Sequence, residues 1–204
     1  MIAIIDYGLG NIQSFVNIYK KLNTSVIVAK TPQQLESAEK LILPGVGSFD
    51  WAMDRLENSG LRNSLDRLVI DGKKPILGVC VGMQMMARKS DEGSRVGLSW
   101  IDADVRKFKY MDSNIAKPLP HMGWNNVSQI GCSVLFDKLD SGMRFYFLHS
   151  YFLSANNPKE IVGFTSYENR FVSAVQRDNI YGVQFHPEKS HRWGIQLLKN
   201  FAKA

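Results

Sequence analysis

Hydrophobic positions fall into two textures along this chain, one before Gly93 and one after it. In the first, short apolar runs alternate with stretches of helical spacing. Met1–Ile5 reads as a buried strand, Ser25–Ala29 and Lys40–Leu43 as the next two, and Pro75–Val79 as a fourth. Between them, Ile12, Phe15, Val16, Tyr19 and Leu22 recur at the spacing of one helix face. Thr31 followed by Pro32 is a helix start of the cap-then-proline kind, and Asp50–Gly60 with Leu61–Gly72 predicts one or two more helices. Strands alternating with helices predict an α/β fold with a doubly wound, mostly parallel sheet flanked by helices.

The second texture is a succession of strand-like runs separated by turn residues: Val96–Val105, Trp124–Val127, Arg144–Leu148, Ile161–Tyr167, Phe171–Gln176 and Ile180–Phe185. It predicts antiparallel strands in the C-terminal half, packed beside the parallel half. Trp193–Ala202 closes the chain as a helix. No repeat, low-complexity tract or linker interrupts the pattern, so a single domain over residues 1–204 is expected. At 204 residues and 45% hydrophobic content the chain can bury one substantial core.

Charge and cysteine usage narrow the function classes. The formal net charge is +6, but Lys and Arg are spread along the chain instead of gathered into one run. That distribution describes a solvated basic surface and not a nucleic-acid site, with an acidic protein partner as a second use. The two cysteines, Cys80 and Cys132, have no metal-ligand spacing, so no metal is expected. A disulfide between them would consume a thiol placed for chemistry, which favours a reducing, cytoplasmic setting. The opening Met1-Ile2-Ala3-Ile4-Ile5-Asp6 lacks a basic n-region and a small-residue cleavage site, and no stretch has the apolar length of a membrane span. The Gly8-Leu9-Gly10 turn lacks the third glycine of a dinucleotide fingerprint.

The candidate chemistry centres on Gly78-Val79-Cys80-Val81-Gly82, at the joint between the Pro75–Val79 strand and a helix whose first turns are predicted over Met83–Lys89. A strand-to-helix elbow holds its central residue in a strained backbone and needs small neighbours to close. It lifts the sulfur out of the sheet toward the positive end of the helix, which favours the thiolate, and makes the Val81 N–H an oxyanion donor. The pentapeptide alone leaves open a small buried cysteine between two turn glycines. A catalytic cysteine also needs a base and a group that orients it. Of the four histidines, His186 directly follows the strand Tyr181–Phe185, and Glu188 lies two residues on, past Pro187. Residues i and i+2 leaving a strand point the same way, so Glu188 is placed to fix the imidazole. By itself His-Pro-Glu is an ordinary strand-end turn; beside the elbow it completes a Cys/His/acid triad.

Gly78-Val79-Cys80-Val81-Gly82-Met83-Gln84 and Gln184-Phe185-His186-Pro187-Glu188-Lys189-Ser190 resemble the signatures of the class I, triad-type glutamine amidotransferases. Asp6-Tyr7-Gly8-Leu9-Gly10-Asn11, Leu43-Pro44-Gly45-Val46-Gly47 and Pro120-His121-Met122-Gly123-Trp124-Asn125 narrow the resemblance to the family of glutaminase subunits of imidazole glycerol phosphate synthase. The resemblance covers the whole chain in order. It implies that Cys80 attacks the side-chain amide of L-glutamine, with His186 as acid/base and Glu188 as its orienter. It places the oxyanion on Val81 N–H and an N–H of the Val46–Gly47 loop, and the amino-acid end of the substrate on Gln84, Glu92, His149, Ser150 and Tyr151. It also implies a (β/α)8-barrel synthase partner that receives the ammonia for imidazole glycerol phosphate and histidine biosynthesis, docked near Asn11, Met122, Trp124 and Lys189. No cofactor is implied for this half-reaction, and His121 and His191 are expected to be structural or interface residues.

Three rival readings stand beside this one. A paralogue supplying ammonia to a nucleotide-sugar or surface-glycan pathway would share every catalytic residue. A cysteine protease or hydrolase has no use for Gln84, Glu92 and His149-Ser150-Tyr151. A non-catalytic scaffold for the barrel has no use for an intact triad.

Overall fold

A computed structural model of the chain describes residues 1–108 and 118–204. The parallel half follows the apolar runs closely. Strand β1 (Ile2–Ile5) leads to helix α1 (Ile12–Lys21), β2 (Val26–Ala29), α2 (Pro32–Ser37), β3 (Lys40–Gly45), α3 (Phe49–Asn58), α4 (Arg62–Asp66) and β4 (Ile76–Cys80). β1 and β4 are buried at every position, as strands covered on both faces must be. α1 buries Phe15, Val16 and Tyr19. α2 starts with a complete capping box: Thr31 Oγ1 accepts from Gln34 N at 3.4 Å while Gln34 Oε1 accepts from Thr31 N at 3.1 Å, and Pro32 is its first residue. α4 runs on as a π-helical turn over Arg67–Asp71, so Leu61–Gly72 is one irregular helix.

Helix α5 (Val81–Met85) is shorter than the Met83–Lys89 stretch predicts. Its last carbonyls are taken by the chain that returns at residues 98–101: Leu98 N–H donates to Met85 O at 2.7 Å, Ile101 N–H to Met86 O at 3.0 Å and Ser99 N–H to Ala87 O at 3.1 Å. Those bonds also keep Val96–Asp102 out of a strand. The predicted Val96–Val105 strand survives only as β6 (Ala103–Lys107), beside the two-residue β5 (Lys89–Ser90).

The remaining strands are β7 (His121–Asn126), β8 (Ser128–Gln129), β9 (Arg144–His149), β10 (Tyr151–Ala155), β11 (Ile161–Ser166), β12 (Arg170–Arg177) and β13 (Ile180–Val183), followed by α6 (His191–Phe201). β10 is not legible as a strand from the sequence: its apolar run is short, ends in Ser154-Ala155 and abuts β9 with one residue between. It nevertheless pairs with β6 over five positions. The main path of the large sheet runs β2-β1-β3-β4-β13-β12-β10-β6-β5. β2, β1, β3, β4 and β13 are mutually parallel, and β12 and β10 then alternate direction. The antiparallel strands thus continue the parallel sheet instead of packing beside it. Among the described residues only β7 and β9 form a separate ladder. At Ser150 the chain passes from that ladder into the large sheet.

This topology positions the site. β13 slots in beside β4 with Val183 opposite Val79, so the chain leaving β13 runs alongside the elbow. On the other side β3 places Gly45 opposite Cys80. The nucleophile candidate is flanked by both at the carboxyl ends of the parallel strands, where open α/β sheets bind their ligands.

Candidate active site

Cys80 has φ +55° and ψ −113°, a backbone that side chains other than glycine rarely adopt. Strain of this kind costs on the order of 1–3 kcal/mol and persists only where the surroundings enforce it. Here they do. A Cβ on Gly82 would stand 2.0 Å from Leu43 O, and one on Gly78 would stand 2.8 Å from Gly82 O. The two glycines let the elbow press against β3 and close on itself. Cys80 is buried at 3% exposure, with Sγ 3.9 Å from Leu148 O and 3.8 Å from Gln184 Nε2.

His186 is fixed by its own backbone before its ring does anything. Its N–H donates to Tyr146 O at 2.8 Å, and its carbonyl accepts from Ser190 Oγ at 2.6 Å. Ser190, fully buried, accepts in turn from Tyr146 N at 3.0 Å. The ring's Nδ1 lies 2.9 Å from Glu188 Oε1, both side chains almost wholly buried. Burial opposes a charge on this imidazole. The negative charge and hydrogen bond of Cys80, followed by those of Glu188, outweigh it and push His186 up to about 10. Both neighbours therefore favour the charged form of this imidazole.

A cavity of about 290 Å³ opens over these groups. Val46, Gly47 and Val81 line it, together with Gln84, Glu92, His149, Ser150, Tyr151 and Lys189. The Val81 N–H is the first of α5, a position without an intrahelical acceptor. Gln84 is not a surface side chain: it is 2% exposed, with Nε2 donating to Tyr151 O and to Gln184 Oε1, each at 3.0 Å. Glu92 Oε2 accepts from Phe49 N at 2.8 Å, so this carboxylate caps α3 while facing the cavity. Burial pushes His149 down to about 3, reinforced by His121 and His186 and opposed by its bond to Tyr151 O. His149 is neutral.

The expected docking residues lie outside the cavity, Lys189 excepted. Met122 is 66% and Trp124 36% exposed, and Trp124 stacks on His191 with ring centres 5.3 Å apart and planes 6° apart. Asn11 precedes α1 without a side-chain cap bond. Lys189 is exposed at the cavity rim, 5.8 Å above the Tyr146 ring.

The chain matches the family Glutamine amidotransferase class-I over residues 3–204. It is 52% identical over 203 residues to the imidazole glycerol phosphate synthase subunit HisH of Bdellovibrio bacteriovorus, covering 100% of both chains. The chain belongs to the HisH family of glutamine amidotransferases. Two further HisH relatives are the subunit of Leptospira interrogans, 49% identical over 99% of each chain, and one designated HisH 2 of Pseudomonas aeruginosa, 44% identical over 100% of this chain and 99% of the other. Among solved structures, the glutaminase domain of Trypanosoma brucei CTPS with bound acivicin superposes with a TM-score of 0.66 at 16% identity, covering 99% and 93% of the two chains. The PurLQS structure of Thermotoga maritima gives 0.69 at 14% identity, covering 99% and 97%. These last two share the fold.

As a HisH family member the chain is an enzyme, a glutaminase subunit, and the family resemblance carried by its motifs is borne out. The HisH site also contains groups that motif reading passed over. Gln184 is fully buried and touches both Gln84 and Cys80. Gln184 stands two residues before His186, just past the end of β13, and its side chain turns toward Cys80. Tyr7 donates its hydroxyl to Pro44 O at 2.7 Å, supporting the loop that carries Val46; burial and the charge of Cys80 hold its phenol well above the usual range. Nothing in the pattern around Tyr7 marks that contact, which joins residues 37 apart. Among the described residues no helix is long and apolar enough to cross a membrane, and no cluster of three His, Cys, Asp or Glu side chains is placed to hold a metal ion.

Proposed function

We propose that this chain, as one glutaminase domain over residues 1–204, hydrolyses L-glutamine through a Cys80-His186-Glu188 triad. The ammonia passes to a (β/α)8-barrel synthase subunit that makes imidazole glycerol phosphate in histidine biosynthesis. The observation that carries the reading is the placement of His186, buried with Nδ1 2.9 Å from Glu188 Oε1 and beside Cys80, both of which favour its charged form. The Cys80 thiolate attacks the amide carbon, and the oxyanion forms against the N–H of Val81 and an N–H of Val46 or Gly47. As the tetrahedral intermediate collapses, the C–N bond breaks and His186 protonates the leaving amine, releasing ammonia and a thioester. His186 then takes a proton from water, which attacks the thioester and frees glutamate and the thiolate. Glu188 keeps the imidazole in register throughout. Gln84, Glu92 and the corner His149-Ser150-Tyr151 hold the amino-acid end of the substrate.

The barrel partner is supported by the relatives' designation as synthase subunits and by the apolar side chains left exposed beside the cavity, Met122, Trp124 and Leu148. A cytoplasmic setting is supported by two unpaired cysteines. The designation HisH 2 of the Pseudomonas relative favours a second reading, a paralogue with the same chemistry and another ammonia acceptor.

Replacing Cys80 by Ala in the complex decides the activity. Glutamine-dependent synthesis is expected to vanish while synthesis from added ammonia persists, because ammonia bypasses the thiolate. Equal loss of both would make Cys80 structural.

A further inference from the structure

A chain of hydrogen bonds runs from Asn125, on the same face of β7 as the buried His121, to the floor of the glutamine cavity, and its direction is fixed at both ends by backbone groups. At the outer end, the Asn125 amide is oriented by two of them. Asn126 N–H donates to its Oδ1 at 2.8 Å, and its Nδ2 donates to Ser166 O at 2.9 Å. Nδ2 also faces His121 Nε2 at 3.2 Å, so that ring nitrogen must present a lone pair and the hydrogen sits on Nδ1. His121 Nδ1 lies 3.0 Å from His149 Nε2. His149 must therefore accept there and carry its own hydrogen on Nδ1, which lies 2.8 Å from Tyr151 O. A carbonyl only accepts, so the inner end demands the same tautomer as the outer end.

Tyr151 O takes a second donor, Gln84 Nε2. The other hydrogen of that nitrogen goes to Gln184 Oε1. Both amide hydrogens of Gln84 are thereby committed, which leaves its oxygen, an acceptor, for the cavity that Gln84 lines. An acceptor at that point suits an ammonium group and repels a carboxylate.

We propose that His121 is a positioning residue for substrate binding: backed by Asn125, it locks His149 and through it the Tyr151 carbonyl, so that Gln84 meets the substrate's ammonium with its oxygen. This rests on the glutaminase reading for the identity of the substrate. The ring is held for the task, 2% exposed and stacked between Phe147 at 4.8 Å and Tyr167 at 4.0 Å between centres. Burial, which holds His149 well below the usual imidazole range, agrees with an acceptor at its Nε2.

Two measurements test it. In wild-type chain with labelled histidines, long-range nitrogen–proton correlation spectra at neutral pH should show His121 and His149 both uncharged with the hydrogen on Nδ1. An Nε2-protonated His149, or an imidazolium at either, overturns the proposal. In the complex with the barrel, His121→Phe keeps the stacked ring and removes both nitrogens. It should raise the KM for glutamine about tenfold, the scale of one lost buried hydrogen bond, with kcat within about twofold. His121→Asn, which restores a donor near the Nδ1 position, should recover most of that loss, and alkylation of Cys80 by iodoacetamide should be unchanged in both. An unaltered KM in His121→Phe, or a fall in kcat alone, overturns it. A wild-type complex that hydrolyses no glutamine would sink the glutaminase reading and leave the tautomer spectrum standing. Should His121→Phe fail to fold, that spectrum decides.

Discussion

At the scale of single residues, the two histidines that line the cavity pull stability in opposite directions with pH. His186 sits at about 10 against an ordinary value of 6.5, so between those values the folded chain holds a proton that the unfolded chain has released. Its contribution is complete below 6.5 and is lost as pH rises toward 10. His149 sits at about 3, so between 3 and 6.5 the unfolded chain binds a proton that the folded chain refuses. Its contribution is complete above 6.5 and is lost as pH falls. Urea unfolding followed from about pH 4 to pH 9 should give a maximum near 6.5, and His186→Gln should flatten the alkaline limb alone. An alkaline limb unchanged by that substitution would mean His186 is not charged in the folded state. The grouping of Cys80, His186 and Glu188 was legible because its parts are local: an elbow pentapeptide, and two side chains at i and i+2. His121 and Gln184 were less so, because their meaning lies in partners 28 and 100 residues away.

At the scale of elements, each apolar run of strand length in the parallel half was readable, most cleanly β1 and β4, whose burial at every position leaves no polar residue to blur the run. What failed were elements whose length is set by a distant segment. α5 stops where residues 98–101 take its carbonyls, and β10 exists because β6 and β12 offer it edges. Glu92 belongs to this scale as well, because its carboxylate joins α3 to the cavity. Its two tasks separate by substitution. Glu92→Gln keeps an oxygen for Phe49 N–H and should leave stability within about 0.5 kcal/mol, while losing the charge that an ammonium needs and raising KM. Glu92→Ala loses the cap also and should cost about 1 kcal/mol in addition. Thermal melts and glutamine KM on both variants read this directly. Wild-type KM in Glu92→Gln would reduce Glu92 to a helix cap.

At the scale of the whole molecule, the cavity and the exposed apolar side chains share the β7–β9 ladder. Trp124 is paired with Tyr146, and three residues before it His121 is paired with His149 at the cavity corner. A partner seated on the outer face of this ladder would lie one strand's thickness from the glutamine site. Trp124 is the largest side chain there, and its stacking on His191, with Trp193 at 6.4 Å, already fixes its orientation before any partner arrives. A pre-oriented, partly exposed aromatic is the kind of group that dominates an interface, because little rotamer freedom remains to be lost on binding. Trp124→Ala should therefore weaken association with the barrel subunit by about 2 kcal/mol, roughly thirtyfold in Kd by titration calorimetry. The Cys80 environment, whose described contacts do not include Trp124, should alkylate at the wild-type rate. His191→Ala supplies the control, since it removes the stacking partner and leaves the indole present. If the effect comes from pre-orientation, His191→Ala should weaken association by a smaller amount, and the double variant should be no weaker than Trp124→Ala alone. Unchanged association in Trp124→Ala would move the docking face elsewhere on the molecule, and with it the route by which ammonia leaves the cavity.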